Sequence, residues 1–296
     1  MIDFRQITIE DKTQYQQLLE KSSPRGCEMS FANLFLWGDQ KIATVHGHTV
    51  MLSTFSKSFY PFPFGEGDKK AVIDELMLDA NERGIDFCIT AVCENEKQIL
   101  QDLYGDKFEF TTNEGSYDYV YDINDLADLP GKKYHKKRNH LRNFQKAHPD
   151  YQVVVLNKSN LGEVKDLVDA WYMAKATEEN DFNYEKGVFD RAMANFDELG
   201  LVGIMIVDGG EVLAVTFASF FYPDMLDVHF EKARADVDGA YTVVNYEFAR
   251  YIRQNYPQIK FLDREEDMGI EGLRRAKRSY YPHHQVVKYK AVYKKG

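Results

Sequence analysis

The residues best suited to chemistry gather between Asp263 and His284. There Glu265, Glu266 and Asp267 precede a glycine-punctuated turn, and Arg274, Arg275, Lys277 and Arg278 follow at once. Carboxylates can orient or take a proton and the cations can hold phosphate, so the stretch offers both halves of a group-transfer site. A plainer reading stands beside it. Acids favour the positive end of a short helix and bases its negative end, each effect worth roughly 0.3–1 kcal/mol. The acids follow the strand-like Lys260-Phe261-Leu262, and open α/β sheets place their ligand crevice at the carboxyl ends of strands.

Upstream, Asp227, His229 and Glu231 alternate with Val228 and Phe230, which puts the three polar residues on one face of a strand. Glu231 is the candidate for orienting or deprotonating an acceptor, with Glu265, Glu266 and Asp267 as rivals; the outer face of an antiparallel strand explains the same pattern without chemistry. Tyr241 and Asn245 lie one helical turn apart at the head of the next helix, where an anion or carbonyl could be received. Arg274 and Lys277 are candidates for holding phosphate.

A third feature is the segment from Leu129 to Pro149, with seven Lys and Arg residues and no acid in a chain of net charge -10. At about 100° per residue, Tyr134, Leu141 and Phe144 share one helix face while Lys132, Lys136, Arg138, Arg142 and Lys146 take the opposite arc. Such a face fits the phosphates of RNA, a nucleotide or a lipid headgroup, and equally a solvated helix between domains.

The elements that must position these residues follow from composition and order. The 296 residues exceed one usual domain, and 44% hydrophobic content can bury a sizeable core. Three cysteines, Cys27, Cys88 and Cys93, match neither a disulfide framework nor a zinc site. Together with the absence of a signal-like start or a long apolar run, they point to a cytoplasmic protein. The first half reads as an antiparallel start, a helix over 68–83, a strand over 87–92, a helix over 95–104 and a strand pair over 107–111 and 117–121. After the basic helix come a strand over 151–156, a helix over 161–177 and another over 186–199. Next is a three-strand meander over 201–207, 211–221 and 225–233, joined by Asp208-Gly209-Gly210 and Pro223-Asp224. A helix over 241–255, the strand over 260–262 and a last strand over 285–293 complete the chain.

This order in the second half resembles the GNAT acyltransferase fold, and the first half resembles a weaker copy of it. The expected fold class is α+β: tandem GNAT-like domains, each a mixed, mostly antiparallel sheet flanked by helices. The expected division is 1–125, a basic linker helix over 126–149, and 150–296.

Three blocks carry a more specific resemblance. They are Leu129-Pro130-Gly131-Lys132-Lys133-Tyr134 with Lys136-Lys137-Arg138-Asn139; His229-Phe230-Glu231-Lys232-Ala233 with Gly239-Ala240-Tyr241; and Glu265-Glu266-Asp267-Met268-Gly269 with Gly272-Leu273-Arg274, Ala276-Lys277 and Ser279-Tyr280. The chain resembles the carboxy-terminal, catalytic domain of phosphatidylglycerol lysyltransferases over most of its length. The resemblance implies a relative of Fem-type transferases that take an aminoacyl group from charged tRNA. Lys232 and Tyr280, inside these blocks, join the substrate-binding candidates.

The expected function is therefore aminoacyl transfer from charged tRNA, held by the helix at 132–146, to an unidentified small-molecule or lipid-headgroup acceptor, with no cofactor and no metal. Two alternatives remain. One is an acyl-CoA-dependent N-acyltransferase with acyl-CoA as co-substrate; against it, the turn Arg234-Ala235-Asp236-Val237-Asp238-Gly239-Ala240 has two aspartates where pyrophosphate would bind. The other is a non-catalytic module that binds RNA or phosphate. No P-loop, nucleophile elbow or metal-ligand spacing points to a kinase, hydrolase or metalloenzyme.

Overall fold

The computed structural model describes residues 1–22, 26–38, 40–54, 58–175 and 183–294. In chain order its elements begin with β1 (Arg5–Gln6), α1 (Lys12–Glu20), α2 (Phe31–Trp37), β2 (Gln40–Val45), β3 (His48–Ser53), β4 (Tyr60–Pro61), β5 (Phe64–Gly65) and α3 (Lys69–Arg83). There follow β6 (Cys88–Val92), α4 (Glu94–Tyr104), β7 (Phe108–Thr112), β8 (Asp118–Asp122), α5 (Ile123–Asp128) and α6 (His135–Ala147). Next come β9 (Gln152–Val155), α7 (Leu161–Lys175), α8 (Asn183–Ala194), α9 (Phe196–Leu199), β10 (Val202–Asp208), β11 (Glu211–Tyr222) and β12 (Met225–Ala233). The chain ends with α10 (Ala240–Asn255), β13 (Phe261–Asp263), α11 (Glu271–Arg278), β14 (His284–Val286) and β15 (Tyr289–Tyr293). Residues 176 and 177, expected at the end of α7, lie outside the described residues.

Two compact units emerge, and neither is a continuous stretch: Met1–Tyr119 with Glu265–Arg275 and Gln285–Gly296 forms the first, Val120–Arg264 with Ala276–His284 the second. The sequence order suggests contiguous domains with a linker helix between them; here α6 belongs to the second unit and the chain returns to the first near its end.

The first unit holds two four-stranded sheets, β1-β2-β3-β5 and β4-β6-β15-β7. Its core gathers Val50, Tyr60, Phe62, Ile73, Leu76, Ile89 and Leu100. The last strand, expected to run unbroken over 285–293, is split. β15 inserts antiparallel between β6 and β7, and β14 belongs to another sheet. The strand pair expected at 107–121 is also split, because a short 3-10 turn at Glu114–Ser116 redirects the chain; β7 pairs with β15, and β8 pairs with β13.

The second unit is built on a sheet of order β14-β8-β13-β12-β11-β10-β9. The β10-β11-β12 meander is antiparallel, as the Gly-Gly and Pro-Asp turns require, and β13 joins β12 in parallel after the α10 crossover. Apolar residues of α10 recur at 240, 243, 244, 248, 249 and 252, a helical stripe wide enough to bury one face on this sheet. Phe217 and Phe230 stack at 5.1 Å, with Phe189 edge-on at 5.5 Å from Phe230. Gly239 starts α10 at φ 83°, and a Cβ there would lie 2.9 Å from the His140 carbonyl of α6. Glycine therefore lets α6 run close against the head of α10.

Candidate active site

In the first unit the acidic run is tied down. Asp267 is fully buried and accepts four hydrogen bonds: from Arg274 Nε (2.7 Å) and Nη2 (3.0 Å), the Tyr119 hydroxyl (2.7 Å) and the Gly269 amide (2.8 Å). The Arg274 hydrogen bond, more than any other contact, holds its carboxyl down at about 2. Asp267 and Arg274 thus fix the turn into α11 together. Glu265 accepts from Asn33 Nδ2 at 3.2 Å. Glu266 faces Lys288, which the sequence alone does not single out. This buried ammonium lies 2.8 Å from both Asp118 and Glu28 and 3.2 Å from Glu266, with the Cys27 sulfur at 3.9 Å. Burial pushes the carboxyls of Glu28 and Glu266 up. Cys27, Asp118 and Glu266 could together offer ligand atoms to a cation, but the Lys288 ammonium already supplies that charge.

In the second unit the polar face of β12 turns inward rather than to solvent. His229 Nε2 lies 2.8 Å from the Ser219 hydroxyl and its Nδ1 3.6 Å from Asp227, and all three side chains are buried. Two residues on, Glu231 is the centre of a different arrangement. Arg264 Nη2 donates to Glu231 Oε1 at 2.7 Å, and Asn245 Nδ2 donates to Oε2 at 3.3 Å. The elements dictate this convergence. Arg264 directly follows β13, which runs beside β12 with Asp263 opposite Asp227, and Asn245 occupies the second turn of α10.

Among the described residues, three polar atoms around Glu231 are buried without a hydrogen-bond partner: Arg264 Nη1, Asn245 Oδ1 and the hydroxyl of Thr216, which sits opposite Glu231 in the β11–β12 ladder. Buried polar atoms are nearly always satisfied, and unsatisfied ones clustered about a carboxylate mark a place shaped for a ligand. The Arg264 guanidinium lies 5.0 Å from the Tyr280 ring and 5.5 Å from that of Tyr121. Lys277 donates to the Arg264 carbonyl, and the Tyr121 hydroxyl donates to the Lys277 carbonyl at 2.9 Å. Lys137 places its ammonium 3.5 Å from the centroid of the Tyr280 ring, and burial, reinforced by the Arg264 charge, pushes it down to about 8. Tyr280 itself is pushed up to about 12 by burial.

A neighbouring group gathers around Trp171. Lys232 pairs with Glu185 at 2.8 Å and sits 3.8 Å over the Trp171 ring, while Trp171 Nε1 donates to the Tyr241 hydroxyl at 3.1 Å. Beyond Trp171 opens a cavity of about 720 Å³, walled by Glu163, Asp166, Glu211, Arg234 and Asp236. Arg234 there is committed, to Asp236 at 2.8 Å and to Glu211 at 2.5 Å.

Helix α6 buries Leu141 and Phe144 and presents Lys132, in the turn before it, Lys136, Arg142 and Lys146 to solvent; among the described residues none of these four forms an ion pair. Arg138 is spent differently. It donates to the carbonyls of Leu129 and, at 2.7 Å, Gly131, closing the turn that leads into the helix. Lys133 pairs with Asp125.

The structure thus collects Glu231, Asn245, Lys277 and Tyr280 around Arg264, sets Lys232 and Tyr241 on Trp171, leaves Lys132 and Lys136 on an exposed face, and assigns Glu265, Glu266, Asp267 and Arg274 to the first unit. Arg264, Lys137, Thr216 and Trp171 are not among the sequence candidates. Arg264 stands inside the acidic stretch and Lys137 inside the basic run, but a burial difference between adjacent lysines has no sequence signal beyond helical phase.

The fold is that of tandem GNAT proteins: a tandem GNAT protein from the clavulanic acid biosynthesis pathway superposes with a TM-score of 0.51 at 10% identity, covering 100% of both chains. Residues 19–292 match the family described as phosphatidylglycerol lysyltransferase, C-terminal, and the chain belongs to that family. L-PGS from Bacillus licheniformis has the same fold, with a TM-score of 0.67 and 16% identity over 97% of this chain and 93% of that one. A conserved protein of unknown function from Bacteroides thetaiotaomicron VPI-5482 is similar throughout, with a TM-score of 0.94 and 35% identity over 99% of this chain and 100% of that one. No curated protein matches the sequence. Family and fold support a transferase of acyl or aminoacyl groups. Among the described residues, no helix is long and apolar enough to cross a membrane.

Proposed function

We propose that this protein moves an aminoacyl group from charged tRNA to an acceptor nucleophile at the Glu231–Arg264 centre. The observation that carries the reading is the pair of buried, unpartnered atoms beside Glu231: a donor, Arg264 Nη1, and an acceptor, Asn245 Oδ1. An α-aminoacyl ester presents the complement of both, a carbonyl oxygen to accept from Arg264 and an ammonium to donate to Asn245. A plain acyl group presents only the first. Aminoacyl esters are already activated, so the protein needs to position the carbonyl, stabilise its developing charge and take the proton of the nucleophile. Arg264 serves the carbonyl, and Glu231 takes the proton.

The unpaired cations of α6 suit the tRNA phosphates. Acyl-CoA is the weaker donor. Its pyrophosphate would meet Asp236 and Glu211, with Arg234 already bound to both. The acceptor is a small molecule or a lipid headgroup; relatives are named for phosphatidylglycerol. The deciding experiment titrates the purified chain with charged tRNA and with acetyl-CoA at low and moderate salt, then follows loss of the aminoacyl group in a single turnover. Saturable, salt-weakened tRNA binding with accelerated loss supports the reading. Acetyl-CoA binding without tRNA binding replaces it with N-acyltransfer, and tRNA binding without turnover with any donor leaves a binding module.

A further inference from the structure

We propose that Lys137 is the general acid of this transfer, delivering its proton to the ester oxygen that leaves with the donor. The inference rests on the transferase reading above and adds to it the group that frees the leaving oxygen.

Lys137 differs from its neighbours on α6. Lys136 is exposed, whereas Lys137 turns inward and lays its ammonium on the face of Tyr280, 3.5 Å from the ring centroid. The same ring lies 5.0 Å from the Arg264 guanidinium, which holds Glu231 at 2.7 Å. Lys137 therefore stands in the site, one aromatic ring from the group assigned to the carbonyl. Among the described residues it forms no ion pair; around it stand the Tyr280 ring, the Arg264 cation and the Glu231 carboxylate, and burial with the Arg264 charge outweighs the pull of Glu231. A half-buried ammonium whose desolvation and cationic neighbour outweigh one carboxylate gives up its proton more readily than an exposed one. Its acidity, pushed to about 8 from the ordinary 10.5, still leaves it mostly protonated at neutral pH. Such a lysine is a stronger acid than an exposed one by roughly 300-fold.

The step needs only the donor ester and the acceptor nucleophile. The lone pair of the acceptor forms the new bond to the carbonyl carbon, and the carbonyl pair moves onto oxygen beside Arg264. Collapse restores the carbonyl and breaks the ester C–O bond, whose electron pair leaves on the donor oxygen and takes the Lys137 proton. Glu231 receives the proton lost by the acceptor. Proton exchange with solvent returns Lys137 to ammonium and Glu231 to carboxylate.

The test compares wild type, Lys137→Met and Lys137→Arg in single-turnover loss of amino acids from a pre-charged tRNA mixture, with water or an added small amine as the acceptor nucleophile, across pH 6 to 9.5. A second donor, an aminoacyl p-nitrophenyl ester, has a leaving group that needs no proton. The expected result is a wild-type rate on tRNA that falls above about pH 8, and a loss of about 100-fold or more in both variants, typical of removing a general acid. On the nitrophenyl ester the deficit should shrink below about 5-fold, since the step that needs the acid is bypassed. Lys137→Arg should bind tRNA like wild type. Equal deficits on both donors, or an alkaline limb that persists unchanged in the variants, would show that Lys137 only positions Tyr280 and Arg264, and would overturn the proposal. A wild type that turns over neither donor would sink the transferase reading, and this proposal with it.

Discussion

Arg264 gives one guanidinium nitrogen to Glu231 at 2.7 Å and keeps the other, Nη1, buried without a partner among the described residues. A cation that is only half satisfied by its carboxylate is poised for a second, neutral or anionic oxygen. In the transfer proposed above, that oxygen is the carbonyl of the transferred group.

Glu231→Gln keeps the size of the side chain but removes both its charge and its ability to take a proton. Turnover is expected to fall by about 10²–10⁴-fold while tRNA binding stays within a few-fold of wild type. Single-turnover rates beside filter-binding titrations separate the two. A fall in binding that matches the fall in rate would make Glu231 a scaffold for Arg264 and nothing more.

Lys132, in the turn before α6, and Lys136, on its exposed face, form no ion pair among the described residues. Each phosphate deprived of its lysine should lower the slope of log affinity against log salt by about 0.7–0.9. Replacing both by alanine is therefore expected to flatten the slope for charged tRNA by between one and two, with folding unchanged. An unchanged slope would move the nucleic-acid surface elsewhere. Arg138→Ala should instead cost stability, because its guanidinium closes the turn at Leu129 and Gly131.

Much of this is legible in the sequence. The Gly-Gly and Pro-Asp turns define the meander, the stripe on α10 defines the helix that covers it, and alternation places Glu231 on one face of β12. What sequence does not supply is pairing between distant segments. Nothing near Lys288 announces Asp118 or Glu28, and the break between β14 and β15 depends on which sheets have room for a strand. The acidic run misleads for a related reason: Asp267 has the makings of a catalytic acid, but four hydrogen bonds from three residues, Tyr119, Gly269 and Arg274, consume it. Arg264, close to it in sequence, carries the unsatisfied group.

Lys288 neutralises a cluster that would otherwise hold three carboxylates together. Lys288→Met should lower stability by about 3–5 kcal/mol at pH 8, the usual cost of leaving a buried charge without its partner. Burial already pushes the Glu28 and Glu266 carboxyls up, and without the ammonium they bind protons more readily in the folded state, so the deficit should shrink as pH falls from 8 to 5. Adding Asp118→Asn should recover part of the stability. Urea midpoints at the two pH values check this, and a deficit that does not change with pH would mean that the cluster is open to water.

Asp267 gives the opposite pH dependence. Its folded carboxyl, held at about 2 chiefly by Arg274, lies below the ordinary aspartate value of 3.8. Between those values the unfolded chain binds the proton and the folded chain does not, so stability rises with pH through the window. The contribution, about 2 kcal/mol, is fully present above pH 4 and disappears as pH falls towards 2. Asp267→Asn removes the titration. The difference in unfolding free energy between wild type and variant should therefore be largest at pH 5 and contract by about 2 kcal/mol at pH 2. Chemical denaturation at pH 5, 4, 3 and 2 measures it. A constant difference would mean that Arg274 gains as much from asparagine as from aspartate, and that the turn into α11 is held by shape rather than by charge.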